Sequence, residues 1–353
     1  AGNYTFRGQT INVLQMGANS SNPVVAASST IDPTVSALLR DIHAAVRTTG
    51  TIQAVDANID QLRYNLKTTS LRRFPTVRLD FNLTDNHRFT SSMNYNYYTD
   101  TPDTLNSFDP TFPGFPVFGG QRSDRLVWSN SIRSTLGSNL VNEFRVGYSG
   151  APVKFFDEMN VGMYTGTVAN QKGFHLTFPS VGSGLTSAGA APSPQSRNAS
   201  DLTFDNTLTW LKGNHNITAG VNWSNYNVWL KNSTLVPRIS FGILTTDPAQ
   251  DVITAATIQA LTGLTPNSTE LGAARNLYAF LTGRVSQITA DARINEDTGR
   301  YEYVGVGTQR SAMSDGGFYI QDSWRWKPNF TINAGLRYTL QLPFRPKNTY
   351  YST

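Results

Sequence analysis

The sequence predicts an all-β fold: an antiparallel transmembrane β-barrel, present in part, with long extracellular loops and one short helix. Three observations predict it. Apolar and polar residues alternate with a period of two. The alternation comes in four hairpins of one plan, near 74–98, 125–150, 201–230 and 317–340. Tight turns close each hairpin, and long polar connections, 99–124, 151–200 and 231–310, separate them. Connections of that length would be unusual in a compact soluble domain.

Composition agrees. Of 353 residues, 39% are hydrophobic, 15% charged and 11% aromatic, and much of the rest is Asn, Thr, Ser and Gly. That mixture suits hydrated strands and polar loops better than helices or a charged disordered tail. The absence of cysteine excludes disulfides and Cys-ligated zinc or iron–sulfur sites. The formal charge of +5 is scattered without Lys/Arg runs, so nucleic acid is not an expected partner. No run of 18 apolar residues is present, so no transmembrane helix is expected. Ala1-Gly2-Asn3-Tyr4 lacks a signal-peptide pattern, so any export signal is expected outside this chain.

Residues 1–73 read as a loop and helix region leading into a barrel segment at 74–346, with a truncated end at 347–353. The helix is placed by Asp32 as N-cap, Pro33 at the first turn, and Gly50 as stop. Val35, Leu38, Leu39, Ile42 and Val46 form an ordinary packing stripe along it. In the first hairpin Val77, Leu79, Phe81 and Leu83 share a face with Phe89, Met93, Tyr95 and Tyr97. Arg78, Asp80, Asn82, Thr90, Ser92, Asn94 and Asn96 share the other. The second hairpin repeats this around Gly137-Ser138-Asn139, the third around Lys212-Gly213-Asn214-His215, and the fourth around Lys327-Pro328-Asn329. Further strands are expected within 231–310, in "SQITADARINE" and "RYEYVGVGTQ".

The physical reason for one apolar face per strand is the bilayer. Lipid cannot satisfy backbone N–H and C=O groups, so a sheet crosses it only with every edge paired. Strands of about 10 residues then turn apolar residues outward and polar residues inward. Arg78, Arg133, Arg145 and Arg337 are therefore the candidate lumen-facing residues. Trp128, Tyr97, Tyr148, Trp210, Trp223, Trp324 and Phe330 are candidates for the membrane interface, where amphipathic rings are favoured. Asp322 is the one charged residue on the apolar face of the fourth hairpin, and this reading leaves it unexplained.

No catalytic, cofactor or metal site is expected. His43 falls on the helix, His175 in a long connection, and His87 and His215 in short turns; no HExxH, CxxC or calcium-loop pattern occurs. The Gly-Ser-Gly at 182–184 does not lie between a strand and a helix and is no phosphate cradle. The sequons at Asn82, Asn216, Asn222 and Asn329 fall in strands and turns and read as accidents of composition.

The stretch "FYIQDSWRWKPNFTINAGLRY" resembles the barrel segment of TonB-dependent outer-membrane receptors. "FPTVRLDFNLTDNHRFTSSMNYNYY", "LGSNLVNEFRVGYSG" and "DNTLTWLKGNHNITAGVNW" are similar to successive hairpins of the Oar-like branch, and "IDPTVSALLRDIH" to the helical segment before them. The resemblance spans roughly 30–340. It implies a 22-stranded barrel with an N-terminal plug, powered by TonB–ExbB–ExbD. It implies uptake of an extracellular substrate too large for porins, of siderophore, glycan or peptide class. This chain departs from the pattern in lacking a recognisable plug, a TonB box, a carboxypeptidase-like N-terminal domain and a terminal aromatic strand, ending instead on Tyr350-Tyr351-Ser352-Thr353. About 8–12 strands are expected, which fits an internal piece of such a receptor. Two other readings stand beside it. One is a complete plug-free porin-like or adhesin barrel, which requires first and last strands to pair. The other is a soluble β-rich carbohydrate-binding module or enzyme, which requires the tryptophans to be buried.

Overall fold

The computed structural model describes residues 1–103, 110–156, 158–181, 184–295 and 298–347. Positions 182–183 and the terminal residues 350–353 discussed above lie outside them. Eight long strands form one antiparallel meander: β1 Thr76–Thr84, β2 His87–Thr101, β3 Gln121–Thr135, β4 Leu140–Gly150, β5 Gln195–Lys212, β6 His215–Ser233, β7 Val306–Lys327 and β8 Phe330–Gln341. Each pairs with its neighbour in sequence. Three short strands complete an eleven-stranded sheet. Thr69–Arg73 continues the β1 edge beyond Pro75, whose missing N–H interrupts the ladder. Val153–Phe155 wedges between β3 and β5, and Arg345–Pro346 pairs with β7.

The turns follow from sequence. Gly137 and Gly213 take positive φ, 86° and 59°, which glycine adopts without strain. The two-residue Gly213-Asn214 link sets Lys212 opposite His215 and thereby the register of the longest hairpin. The strands exceed the expected ten residues. β5, β6 and β7 run 18, 19 and 22 residues, so the ends next to the long connections extend past the apolar band.

The strand order is linear. Among the described residues no ladder joins the β1 end to the β8 end, and β1 and β8 are exposed along their whole length. The plug-free reading needed a closed sheet, and this sheet is open.

The long connections depart most from expectation. All three leave the sheet at one end and fold, together with residues 1–48, into a cap with its own cores. Helices α1 (Val13–Ala18), α2 (Pro23–Ser28), α3 (Pro33–Ala45), α4 (Ala255–Thr262) and α5 (Ser268–Leu281) belong to it. The expected helix is α3, capped by Asp32 as predicted and ending at Val46 rather than Gly50. The other four are additions. In one core Tyr4, Phe6, Ile11 and Val25 pack with Ile258, Ala274 and Tyr278. In a second, Val35 and Leu38 meet Phe115, Leu176, Phe241 and Phe280; in a third, Phe118, Met159, Tyr164 and Val236 meet. Residues 1–48 are thus woven into the later connections, by burial rather than by sequence proximity. The expected strands in 285–303 form, as Val285–Thr289, Ala292–Asn295 and Arg300–Tyr303, and the first of these pairs with Arg238–Phe241 in the cap, not with the wall.

Candidate functional site

Pairing register carries side-chain faces from strand to strand. On one face a row runs Phe81, Phe89, Ile132, Phe144, Asn206, Val221, Phe318, Tyr338. A second runs Val77, Met93, Trp128, Tyr148, Leu202, Asn225. Most of this face is uncovered, with burial at its cap end, at Ser314 and Gly316. Trp128, Trp210 and Trp223 are 45%, 36% and 39% exposed, and Leu336 is 70% exposed. Such an area of exposed aromatic and aliphatic surface is untenable in water for a monomer. The soluble reading, which needed these tryptophans buried, fails here.

Polar groups on this face pair with one another, as a nonaqueous setting demands. Trp128 Nε1 donates to Ser91 Oγ at 3.1 Å, and Asn142 Nδ2 to Asn206 Oδ1 at 3.0 Å. Toward the cap, Tyr95 Oη donates to Asp124 Oδ1 at 2.6 Å, and the Arg122 guanidinium lies 5.5 Å from the Tyr97 ring. Asp322 now has its partner. His215 Nδ1 lies 2.6 Å from Asp322 Oδ2, while the imidazole stacks on Trp324 at 5.3 Å. Asp322 Oδ1 is buried without a hydrogen-bond partner among the described residues. Trp324 is consequently half-buried, whereas Trp326 beside it and Phe330 across the turn are exposed.

The opposite face is mainly polar, with Val127, Leu211 and Val228 as apolar exceptions. Asp80 accepts from Arg78 Nε at 2.8 Å, Arg88 Nη2 at 3.0 Å and Thr90 Oγ1 at 2.8 Å. Arg145 Nε donates to Glu143 at 2.7 Å. Arg133 stands in register between Arg88 and Glu143. Tyr319 lies across Gly220, where a Cβ would approach its ring to 2.5 Å. Arg337 spans from Asn222, 3.4 Å away, to the Tyr319 ring, 5.9 Å away. The four candidate arginines share one face, and Arg78, Arg145 and Arg337 enter separate local networks along it.

Near the cap this face holds a cleft of about 340 Å³, lined by Arg72, Phe74, Asn96, Tyr98, Gln121, Ser123 and Arg125. The Arg72 guanidinium lies 5.0 Å from the Tyr98 ring, and Arg125 Nε donates to Ser123 Oγ at 3.2 Å. Sequence reading missed the cleft because Arg72 precedes the first recognised hairpin, which begins at Phe74.

Within the cap, Arg284 joins three segments. Its Nη1 donates to both oxygens of Asp247 at 2.7 and 2.8 Å, its Nη2 donates to Ser28 Oγ at 2.8 Å, and it lies 5.4 Å from the Tyr278 ring. Burial opposes its charge, yet the Asp247 carboxylate and Tyr278 hold the guanidinium above its ordinary range. Arg7 clasps Glu270 by two bonds of 2.8 Å, and the Asn267–Glu270 capping box starts α5. His175 is buried against Tyr164 with Nε2 3.1 Å from Gly189 O; burial pushes its imidazole below the ordinary value. His43 is exposed on α3, and His87 Nδ1 lies 2.8 Å from Ser134 Oγ. The four histidines therefore lie in four separate settings.

No curated protein matches the sequence. Among solved structures, the outer membrane transporter YddB from Escherichia coli aligns with 81% of this chain and 30% of its own, at 12% identity and a TM-score of 0.44. The ferripyoverdine receptor of the outer membrane of Pseudomonas aeruginosa aligns with 80% of this chain and 32% of its own, at 10% identity and a TM-score of 0.37. The chain thus spans about a third of the length of these structures. The profile of the outer membrane beta barrel domain matches residues 1–353. With its uncovered apolar face, its polar opposite face and that match, the chain belongs to the outer membrane beta barrel domain family and to the outer membrane of a Gram-negative bacterium.

Proposed function

We propose that this chain is the wall and cap of a TonB-dependent receptor of the Oar-like branch, taking up a substrate too large for porins. The observation that carries the proposal is the division of labour in the fold. The apolar cores among the described residues lie in the cap, while the sheet keeps a largely uncovered apolar face and a mainly polar face with a cleft at its cap end. Lipid covers the first face, and the second lines an aqueous lumen, with Arg78, Arg133, Arg145 and Arg337 along it. Trp128, Tyr97, Tyr148 and Trp223 sit toward the outer interface, and Trp210, Trp324 and Phe330 toward the periplasmic one. The cap presents the recognition surface at the extracellular end. The open strand order supports a wall that further strands complete, toward a barrel of 22. Energy from TonB–ExbB–ExbD would enter through a plug outside this chain.

The test is uptake by cells carrying the complete gene. Labelled ferric siderophores, oligosaccharides and peptides are offered with and without a protonophore. Surface binding that survives the protonophore while uptake collapses is expected for at least one class. Uptake that is indifferent to the protonophore overturns energised transport in favour of a passive pore.

A further inference from the structure

The turns closing β5–β6 and β7–β8 lie on adjoining hairpins at the end of the sheet away from the cap. Each carries a lysine seated on an indole. Lys212 Nζ is 4.7 Å from the Trp210 ring centre, and Lys327 Nζ is 5.0 Å from the Trp326 ring centre. Lys212 is in register with His215, and His215 with Trp324. Two strand spacings, roughly 10 Å, therefore separate the lysine of one turn from the aromatic residues of the other. The acidic group on this part of the face, Asp322, is already engaged by His215 at 2.6 Å. Neither lysine takes a carboxylate partner among the described residues. Two ammonium groups thus stand at the rim of the apolar face, held only by ring faces.

We propose that this Lys212–Lys327 cluster binds the headgroup of an anionic glycerophospholipid of the phosphatidylglycerol class, in the leaflet at the short-turn end. Indoles favour headgroup depth, so Trp210 and Trp326 hold the lysines in the plane of the lipid phosphates. Each ammonium exchanges a weak ring contact for a charge-assisted bond to a phosphate oxygen. Acyl chains then lie along the apolar strip above, past Ile217, Ile320 and Ile332, which share that face. A zwitterionic phosphatidylethanolamine headgroup brings its own ammonium to a site with two cations, where the Asp322 carboxylate on the same face is already held by His215 through one oxygen. Charge complementarity selects against it.

The inference rests on the lipid-facing assignment of this face, and the experiment separates the two. The complete protein is placed in nanodiscs holding an equal fraction of brominated phosphatidylglycerol or brominated phosphatidylethanolamine, and tryptophan quenching is compared. Brominated phosphatidylglycerol is expected to quench more strongly, with the preference lost in K212Q/K327Q, kept in K212R/K327R and weakened by salt. The preference should fall about fivefold for each lysine removed, up to about thirtyfold for both. No quenching by either lipid overturns the lipid-facing assignment and the headgroup site with it. Equal quenching by both in the wild type, or an unchanged preference in K212Q/K327Q, overturns the headgroup site alone.

Discussion

The sharpest test of the two-faced wall is a charge placed on adjacent residues of β7. Ile320 lies on the uncovered face between Ala219 and Leu336, and Gln321 points the other way, between Thr218 and Gly335. A strand rising about 3.3 Å per residue and tilted about 40° climbs about 2.5 Å per residue along the membrane normal. Ile320 then sits about 10 Å from the level of Trp324, close to the middle of an apolar band about 25 Å tall. Ile320→Arg should destabilise by about 2–4 kcal/mol at that depth, which is about thirtyfold to several hundredfold in the folding equilibrium. Gln321→Arg should stay within about 0.5 kcal/mol, as an exposed polar position does. Ile320 is 52% exposed, so in water its replacement would be nearly as mild as that of Gln321. The large difference arises only if lipid is the solvent. The assay is guanidinium unfolding of the complete protein in phospholipid vesicles, followed by the heat-dependent mobility shift on gels. Equal costs for the two variants, or a larger cost for Gln321→Arg, would refute the assignment of faces.

Two further outcomes concern the cap. Arg284→Met should cost about 2–3 kcal/mol, less than for a fully buried pair because 16–17% of each partner side chain still meets water. Hydrogen exchange should accelerate in α2 and α5 and not in β1–β8, and adding Asp247→Asn should recover much of the loss; exchange unchanged in the cap sinks the idea. The second concerns acid. His175 is held below its ordinary value by burial, so the unfolded cap binds more protons than the folded one, and stability rises with pH. The stability is full above about pH 6.5 and is lost as pH falls from there toward the depressed value. Amide exchange near 171–189, corrected for intrinsic rates, should report a weaker cap at about pH 5 than at about pH 7.5. A slope of the opposite sign, or the same slope in His175→Gln, removes this group as the cause.

Much of the wall was legible because a strand's side chains alternate by geometry. Val77 to Leu83 and Phe330 to Tyr338 declare their faces without knowledge of any neighbour. The short turns declared themselves through Gly137, Gly213 and Pro328 for the same local reason. The cap was not legible as a cap, although parts of it carried signals. Asn22-Pro23 and the Asn267–Glu270 box are ordinary helix starts, overlooked because their surroundings read as polar connection. Nothing local joins Ser28 to Arg284, or Arg7 to Glu270, across about 260 residues.

The sequence by itself determined the period of two, the hairpin order, the two chemical faces and the membrane setting they imply. Tertiary structure decided what depends on which segments meet. It gave Asp322 its histidine, set Lys212 and Lys327 on one rim, gathered three connections and residues 1–48 into shared cores, and opened the cleft between Arg72 and Arg125. The physical reason is range. Alternation and turn chemistry act over a few residues of one chain, whereas ion pairs and core packing reward proximity however far apart in sequence the partners lie, once the closure of the intervening loops has been offset.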